Sequence, residues 1–131
     1  MKLRSALVLA AALLAFCLAG AATSQTAEET LLGSYFWKQS NERGDLRAVF
    51  TPKGEGKYDV VFHFEFRGPH TYTGTAEGSL KEGSLKGTVQ NENKKRTWNF
   101  SGTFTNGQFE GTHEELRDGD KIDSGTLTLK R

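Results

Sequence analysis

Residues Gly102–His113 read GTFTNGQFEGTH, and residues Gly78–Val89 read GSLKEGSLKGTV. Superposed, the two stretches set Gly78 on Gly102, Gly83 on Gly107, Gly87 on Gly111 and Thr88 on Thr112, with Leu80 and Leu85 on Phe104 and Phe109. In the first, Asn106-Gly107 separates two alternating runs. Asn-Gly suits a two-residue type I′ hairpin turn, because both central residues need positive φ. Such a turn pairs Thr105 with Gln108, and then Phe104 with Phe109, Gly102 with Gly111, Phe100 with His113 and Trp98 with Glu115. Apolar residues meet on one face and Thr, Ser and Glu on the other. A slip of one residue would exchange the faces, so the register has content.

The same pattern runs outward in both directions. Lys57–Arg67, KYDVVFHFEFR, puts Tyr58, Val60, Phe62, Phe64 and Phe66 on one face and Asp59, Val61, His63, Glu65 and Arg67 on the other, as in a half-buried strand. Seven more strands are expected at residues 32–39, 45–52, 70–80, 84–90, 96–105, 108–117 and 121–130. Short turn signals lie between them: NERG, PKGEG, RGP, KEG, NENKK, TNG and RDGD. A turn at Glu82-Gly83 would pair Leu80 with Leu85, Gly78 with Gly87 and Ala76 with Val89. A three-residue loop, Asp118–Asp120, would pair His113 with Gly125, Gly111 with Leu127 and Glu115 with Asp123. No connection is long enough for a crossover helix, so neighbouring strands should be antiparallel.

Glycines 78, 87, 102, 111 and 125 all fall on the apolar face. A strongly coiled sheet uses glycines there, to bend and to make room for Phe62, Phe64, Trp98 and Phe100. Closure would also remove two exposed edges. The expected fold is therefore all-β: an eight-stranded antiparallel up-and-down meander closed into a small barrel, after an N-terminal signal-peptide helix. An open or half-rolled meander is the alternative.

The N-terminus begins with basic Met1-Lys2-Leu3-Arg4, continues through the apolar run SALVLAAALLAFCLA and ends in small residues around Ala19-Gly20-Ala21. This has the form of a secretory signal peptide cleaved near Ala21 or Ala22, and the apolar run is short for a spanning helix. Residues 1–22 are read as the signal, 23–30 as a short polar linker and 31–131 as one barrel domain, exported to the periplasm or outside the cell. Lipid anchoring at Cys17 is disfavoured, since bulky Phe16 precedes it where lipoprotein signals carry a small residue. Cleavage removes Lys2 and Arg4, taking Lys+Arg from 17 to 15 against 16 Asp+Glu, so the charge moves from +1 to about −1. That balance suggests neither nucleic acid nor, after cleavage, a membrane as partner. Cys17 is the single cysteine, so the mature chain can form no disulfide. The remaining chain, roughly 105 residues, makes one small domain with a modest core. No oligomeric state follows from the sequence.

Gly33-Ser34-Tyr35-Phe36-Trp37, at the start of the first strand, resembles the Gly-x-Trp opening of lipocalins and the Gly-plus-aromatic opening of avidin-like chains, with Tyr35 where the Trp would stand. At the level of architecture the chain is similar to this calycin group of small barrels. The resemblance implies an up-and-down barrel that holds a small molecule, and it assigns no individual ligand-binding residue.

In a meander, alternate turns gather at opposite ends. The end holding residues 40–44, 67–69, 91–95 and 118–120 is the candidate mouth, because the inward positions near it are polar or amphipathic. The candidate ligand-binding residues are Tyr72, Trp98, Phe100, His113, Glu115 and Asp123. His113, beside Gly125, either bonds a ligand or accepts a proton near neutral pH, or else is structural and bonded to a carbonyl or water. Glu115 and Asp123, directly opposite, would repel and raise one pKa; they form a carboxylate site or simply a wet rim. NENKKR at residues 91–96 is too short for a nucleic-acid patch. No phosphate-cradling loop or nucleophile elbow is present, no metal ligand or catalytic residue is assigned, and no cofactor is called for.

The leading reading is a secreted, non-catalytic module holding a small, partly apolar or amphipathic ligand in the barrel. The alternatives are a structural or protein-interaction domain with a filled core, and a hydrolase-like or lyase-like enzyme using His113 with Glu115 or Asp123. Export gives a direct prediction. Mass measurement of the secreted protein should show a chain starting near Ala22, and a chain starting at lipid-modified Cys17 would refute the assignment.

Overall fold

The computed structural model describes residues 27–131. The expected signal peptide and the first half of the linker lie outside the described residues. Eight strands follow in order: β1 (Glu29–Trp37), β2 (Glu42–Gly54), β3 (Lys57–Glu65), β4 (Pro69–Gly78), β5 (Gly83–Gln90), β6 (Arg96–Thr105), β7 (Gln108–Arg117) and β8 (Asp120–Lys130). Each pairs antiparallel with the next, and β1 pairs with β8 from Leu32↔Lys130 to Trp37↔Gly125. The meander is thus a closed barrel, and the half-rolled alternative is excluded.

The first strand starts at Glu29, inside the stretch expected to be linker, and stops at Trp37. Leu31 is fully buried and Glu29 lies opposite Phe50, so burial carries the strand back beyond the polar start. The β6–β7 register is the expected one throughout, and Asn106 and Gly107 both have positive φ, 54° and 78°.

Two connections differ from expectation. Between β4 and β5 the loop comprises Ser79–Glu82, and Gly78 pairs with Leu85, Ala76 with Gly87 and Gly74 with Val89. The pairing is displaced by two residues, so the faces are preserved. The Ser79 hydroxyl accepts from the N–H groups of Lys81 and Glu82 at 3.0 and 3.1 Å, which makes a local turn that competes with further pairing. Leu80 folds back into the core. Between β7 and β8 the turn has two residues, Asp118 and Gly119, with φ of 51° and 89°. A bulge after Glu115 absorbs Ile122 and restores the expected pairs Glu115↔Asp123, His113↔Gly125 and Gly111↔Leu127.

The interior is filled. Phe50, Phe62, Phe104, Phe109, Leu31, Leu127 and Leu129 are wholly or almost wholly shielded from water. Phe104 and Phe109 close the end opposite the mouth, where the Arg131 guanidinium donates to the Leu80 carbonyl at 2.6 Å. Each such aliphatic or aromatic side chain contributes about 1.5–3 kcal/mol on burial, so stability comes from a solid core.

Gly102 and Gly111 lie opposite each other, as their alternation requires. A Cβ at Gly111 would run into the Ser101 carbonyl oxygen and the Phe109 ring. Gly111→Val is therefore expected to cost at least the roughly 1–3 kcal/mol typical of overpacking. Thr112→Val, on the exposed face, should stay within about ±0.5 kcal/mol. Equal shifts in urea melts of the two variants would contradict the register.

Candidate functional site at the barrel mouth

The turns that follow β1, β3, β5 and β7 surround an open recess of about 870 Å³. Its floor is aromatic, and alternation explains which rings it uses. Tyr35 and Trp37 share the inward face of β1 with Leu31, Phe64 follows Phe62 on β3, Tyr72 lies opposite Phe62 on β4, and Trp98 precedes Phe100 on β6. Trp98 is at the centre. The rings of Phe62, Trp37, His113, Phe64, Tyr35 and Tyr72 surround it at centroid distances from 5.0 to 6.1 Å, all steeply inclined to it. Edge-to-face pairs of this kind add about 0.5–1.5 kcal/mol each to simple burial and hold the floor rigid.

Four of the six sequence-predicted residues, Tyr72, Trp98, Glu115 and Asp123, line this recess. Phe100 and His113 do not. Phe100 lies one layer deeper, against Phe62 at 5.2 Å and Phe109 at 6.4 Å. His113 lies behind Trp37, stacked on it at 3.7 Å with 5° between the planes. Its Nε2 donates to the Phe36 carbonyl at 2.9 Å, reaching past Gly125, where a Cβ would stand 3.0 Å from that nitrogen. With Nε2 carrying the proton, Nδ1 is a bare acceptor, and it is buried without a partner. Burial lowers the His113 pKa to about 4, against the opposing pulls of the Phe36 carbonyl and Asp123. The ring is neutral at pH 7.

The two facing carboxylates also have partners. Asp123 accepts from the Gln39 N–H at 2.8 Å, the Ser124 N–H at 2.8 Å, and the Ser40 hydroxyl and N–H at 2.9 and 3.2 Å. Burial alone would raise its pKa, but these donors outweigh it and hold the carboxyl below its ordinary value. The expectation that like-charge repulsion would raise a pKa fails at Asp123, because the β1–β2 turn supplies donors. Glu115 accepts from Arg96 at 3.1 Å in a partly exposed ion pair. Among the described residues no hydrogen bond joins His113 to either carboxylate, so the acid–base trio is not assembled. Nor does any group of three or more His, Cys, Asp or Glu among them stand ready for a metal ion.

The sequence reading missed Tyr35, Trp37, Phe64, Arg96 and Arg117 at the recess. Parity could have found the arginines: Arg96 is two residues before Trp98 and Arg117 two after Glu115. Ile122 reaches the rim through the bulge, which breaks parity. Buried Trp98 carries one further feature, an indole Nε1–H with no hydrogen-bond partner.

The fold and its mouth define a small closed antiparallel eight-stranded barrel. Solved structures of that class include a redesigned beta barrel, with a TM-score of 0.66 and 16% identity over 85% of this chain and 94% of that one. EF1p2_mFAP2b bound to DFHBI is similar to the same degree, TM-score 0.66 and 16% identity, over 88% of this chain and 99% of that one. At such identity the likeness is one of fold. No protein-family model and no curated protein matches the chain.

The buried histidine makes stability depend on pH. The unfolded chain takes up a proton near 6.5 and the folded chain only near 4. Between those values the unfolded state binds more protons, so stability falls as pH drops through that window. At about 1.4 kcal/mol per unit the loss approaches roughly 3 kcal/mol. His113→Phe should flatten the change in urea-melt stability between pH 6.5 and 4.5. An unchanged slope in that variant would show that other groups carry it.

Proposed function

We propose that this chain is an exported, non-catalytic binding module that holds a small, partly apolar ligand at the mouth of its barrel. The observation that carries this reading is the open recess of about 870 Å³ at the mouth, floored by the rings of Tyr35, Trp37, Phe64, Tyr72 and Trp98 and edged by polar and charged side chains. An apolar wall with a few converging polar groups is the usual make-up of a small-molecule site. The interior is filled, so the ligand belongs at the mouth and not along the barrel axis. That a barrel of similar fold, EF1p2_mFAP2b, is bound to DFHBI supports the reading at the level of architecture. The signal-like N-terminus supports export, and Gly33 to Trp37 supports a calycin-like relationship.

The same filled interior favours a second reading, a structural or protein-interaction domain whose mouth is only a wet rim. One titration separates the two. Trp37 and Trp98 are the two tryptophans of the chain, and both lie in the floor. Two indole N–H resonances therefore report on the recess alone. With 2-naphthamide as neutral aromatic probe, the Trp37 and Trp98 resonances should move saturably, and Trp98→Phe, which shrinks the aromatic floor, should weaken binding. If neither resonance moves at millimolar amide, the structural reading stands.

A further inference from the structure

On the side of the recess formed by β6, β7 and β8 the side-chain acceptors are engaged. Asp123 is held by the donors of Gln39, Ser40 and Ser124, Glu115 by Arg96, and the Asn91 side-chain carbonyl by the Arg96 N–H at 3.0 Å. Beside them stands the Tyr72 phenol, which burial and Glu115 keep protonated against Arg96 and Arg117.

The arginines add a second observation. Arg96 and Arg117 are direct cross-strand partners on β6 and β7, and both line the recess. Like charges so placed destabilise a sheet. Glu115 answers only Arg96. Among the described residues Arg117 forms no ion pair, although Asp120 is its partner across the β7–β8 turn. The free carboxylate of the recess, Glu42, pairs in register with Trp37 on the opposite side, where it acts on Tyr35. The recess is thus polarised, basic and donor-rich along β4, β6 and β7, and acidic along β2. Its rim also carries two exposed apolar side chains, Phe66 and Ile122.

We propose that the ligand is an amphipathic carboxylate, its apolar body against Trp37, Phe64 and Trp98 and its carboxylate between Arg117 and Tyr72 beside Arg96. This rests on the binding role proposed above and names the chemical class that the site takes. A carboxylate fits the planar guanidinium fork in two parallel hydrogen bonds, completes the Arg96–Arg117 pair electrically, and brings only acceptors to a wall of donors.

Matched probes test the charge separately from the recess. 2-Naphthoate, 2-naphthamide and 2-naphthylmethylamine share one ring system and differ in head-group charge. In calorimetric titrations naphthoate should bind about tenfold more tightly than the amide, as charge-assisted pairing predicts, and the amine more weakly than the amide. Arg117→Gln should bring naphthoate down to the amide's affinity while leaving the amide unchanged. Arg117→Lys, which keeps the charge and loses the fork, should fall between. Because Arg117 is exposed, these variants should melt like the parent. Equal or tighter binding of the amide, preference for the amine, or indifference of naphthoate to Arg117→Gln would overturn the carboxylate assignment and leave mouth binding standing. If no probe binds, both fall together.

Discussion

A missing side chain holds the barrel closed. At Gly125, on β8, the absent Cβ leaves a gap through which His113 of β7 reaches the Phe36 carbonyl of β1. One hydrogen bond therefore ties three strands at the seam where the ends of the meander meet. That seam is the pairing most distant in sequence, and its chain entropy must be met before any of its contacts form. Neighbouring bonds reinforce it. Asp123 gathers the turn after β1, the Lys38 N–H donates to the Ser124 carbonyl at 2.8 Å, and Arg131 pairs with Glu29 at the far end. An alanine at 125 would meet both the Phe36 carbonyl and the histidine ring. The glycine is a condition of closure as well as a point of bending.

The seam bond also sets the state of the centre. Because Nε2 donates to Phe36, Nδ1 has no proton, and stacking on Trp37 seals it from water. The neighbouring Trp98 holds an unpaired donor. A structure otherwise packed to remove such atoms keeps one acceptor and one donor on adjacent rings 5.2 Å apart. Burial of polar groups without partners is expensive, and the aromatic lattice around Trp98 supplies the packing that offsets it. A rigid floor is also a good starting point for binding, since little side-chain freedom remains to be lost when a ligand arrives.

What the sequence disclosed follows from how local the determining interactions are. Asn106-Gly107 fixes its own register by backbone conformation, so every pair of β6 with β7 was legible from twelve residues. Ser79 is as local, yet its hydroxyl competes with the ladder, and Glu82-Gly83 was misread as the turn. The bulge at Ile122 could not be seen, because alternation resumes beyond it as though nothing had been inserted. Parity gave the inward residues correctly but not their depth. Strands in a barrel are tilted and staggered, so Phe100 lies deeper than Trp98 although it follows it in the same alternation, and His113 on β7 is covered by Trp37 of β1.

The carboxylates mark the remaining limit. Glu115 and Asp123 look alike in sequence and face each other in space, but they have different partners. Asp123 is held mainly by backbone N–H groups of a turn more than eighty residues away, and Glu115 by a side chain on the adjacent strand. No spacing rule encodes the first arrangement, because three of its four donors are backbone N–H groups, which carry no side-chain identity. Electrostatically the difference decides the character of the mouth. Hydrogen bonds leave the charge of Asp123 in place, but they occupy its oxygens, and it forms no ion pair with Arg117. The formal charges that line the recess balance, Arg67, Arg96 and Arg117 against Glu42, Glu115 and Asp123, but they are unevenly placed, with two facing arginines on β6 and β7 and the carboxylate of Glu42, unpaired among the described residues, on β2. The turn after β1 takes part in both mouth and seam, engaging Asp123 at the mouth and, through the Lys38 N–H, tying β1 to β8 at the seam.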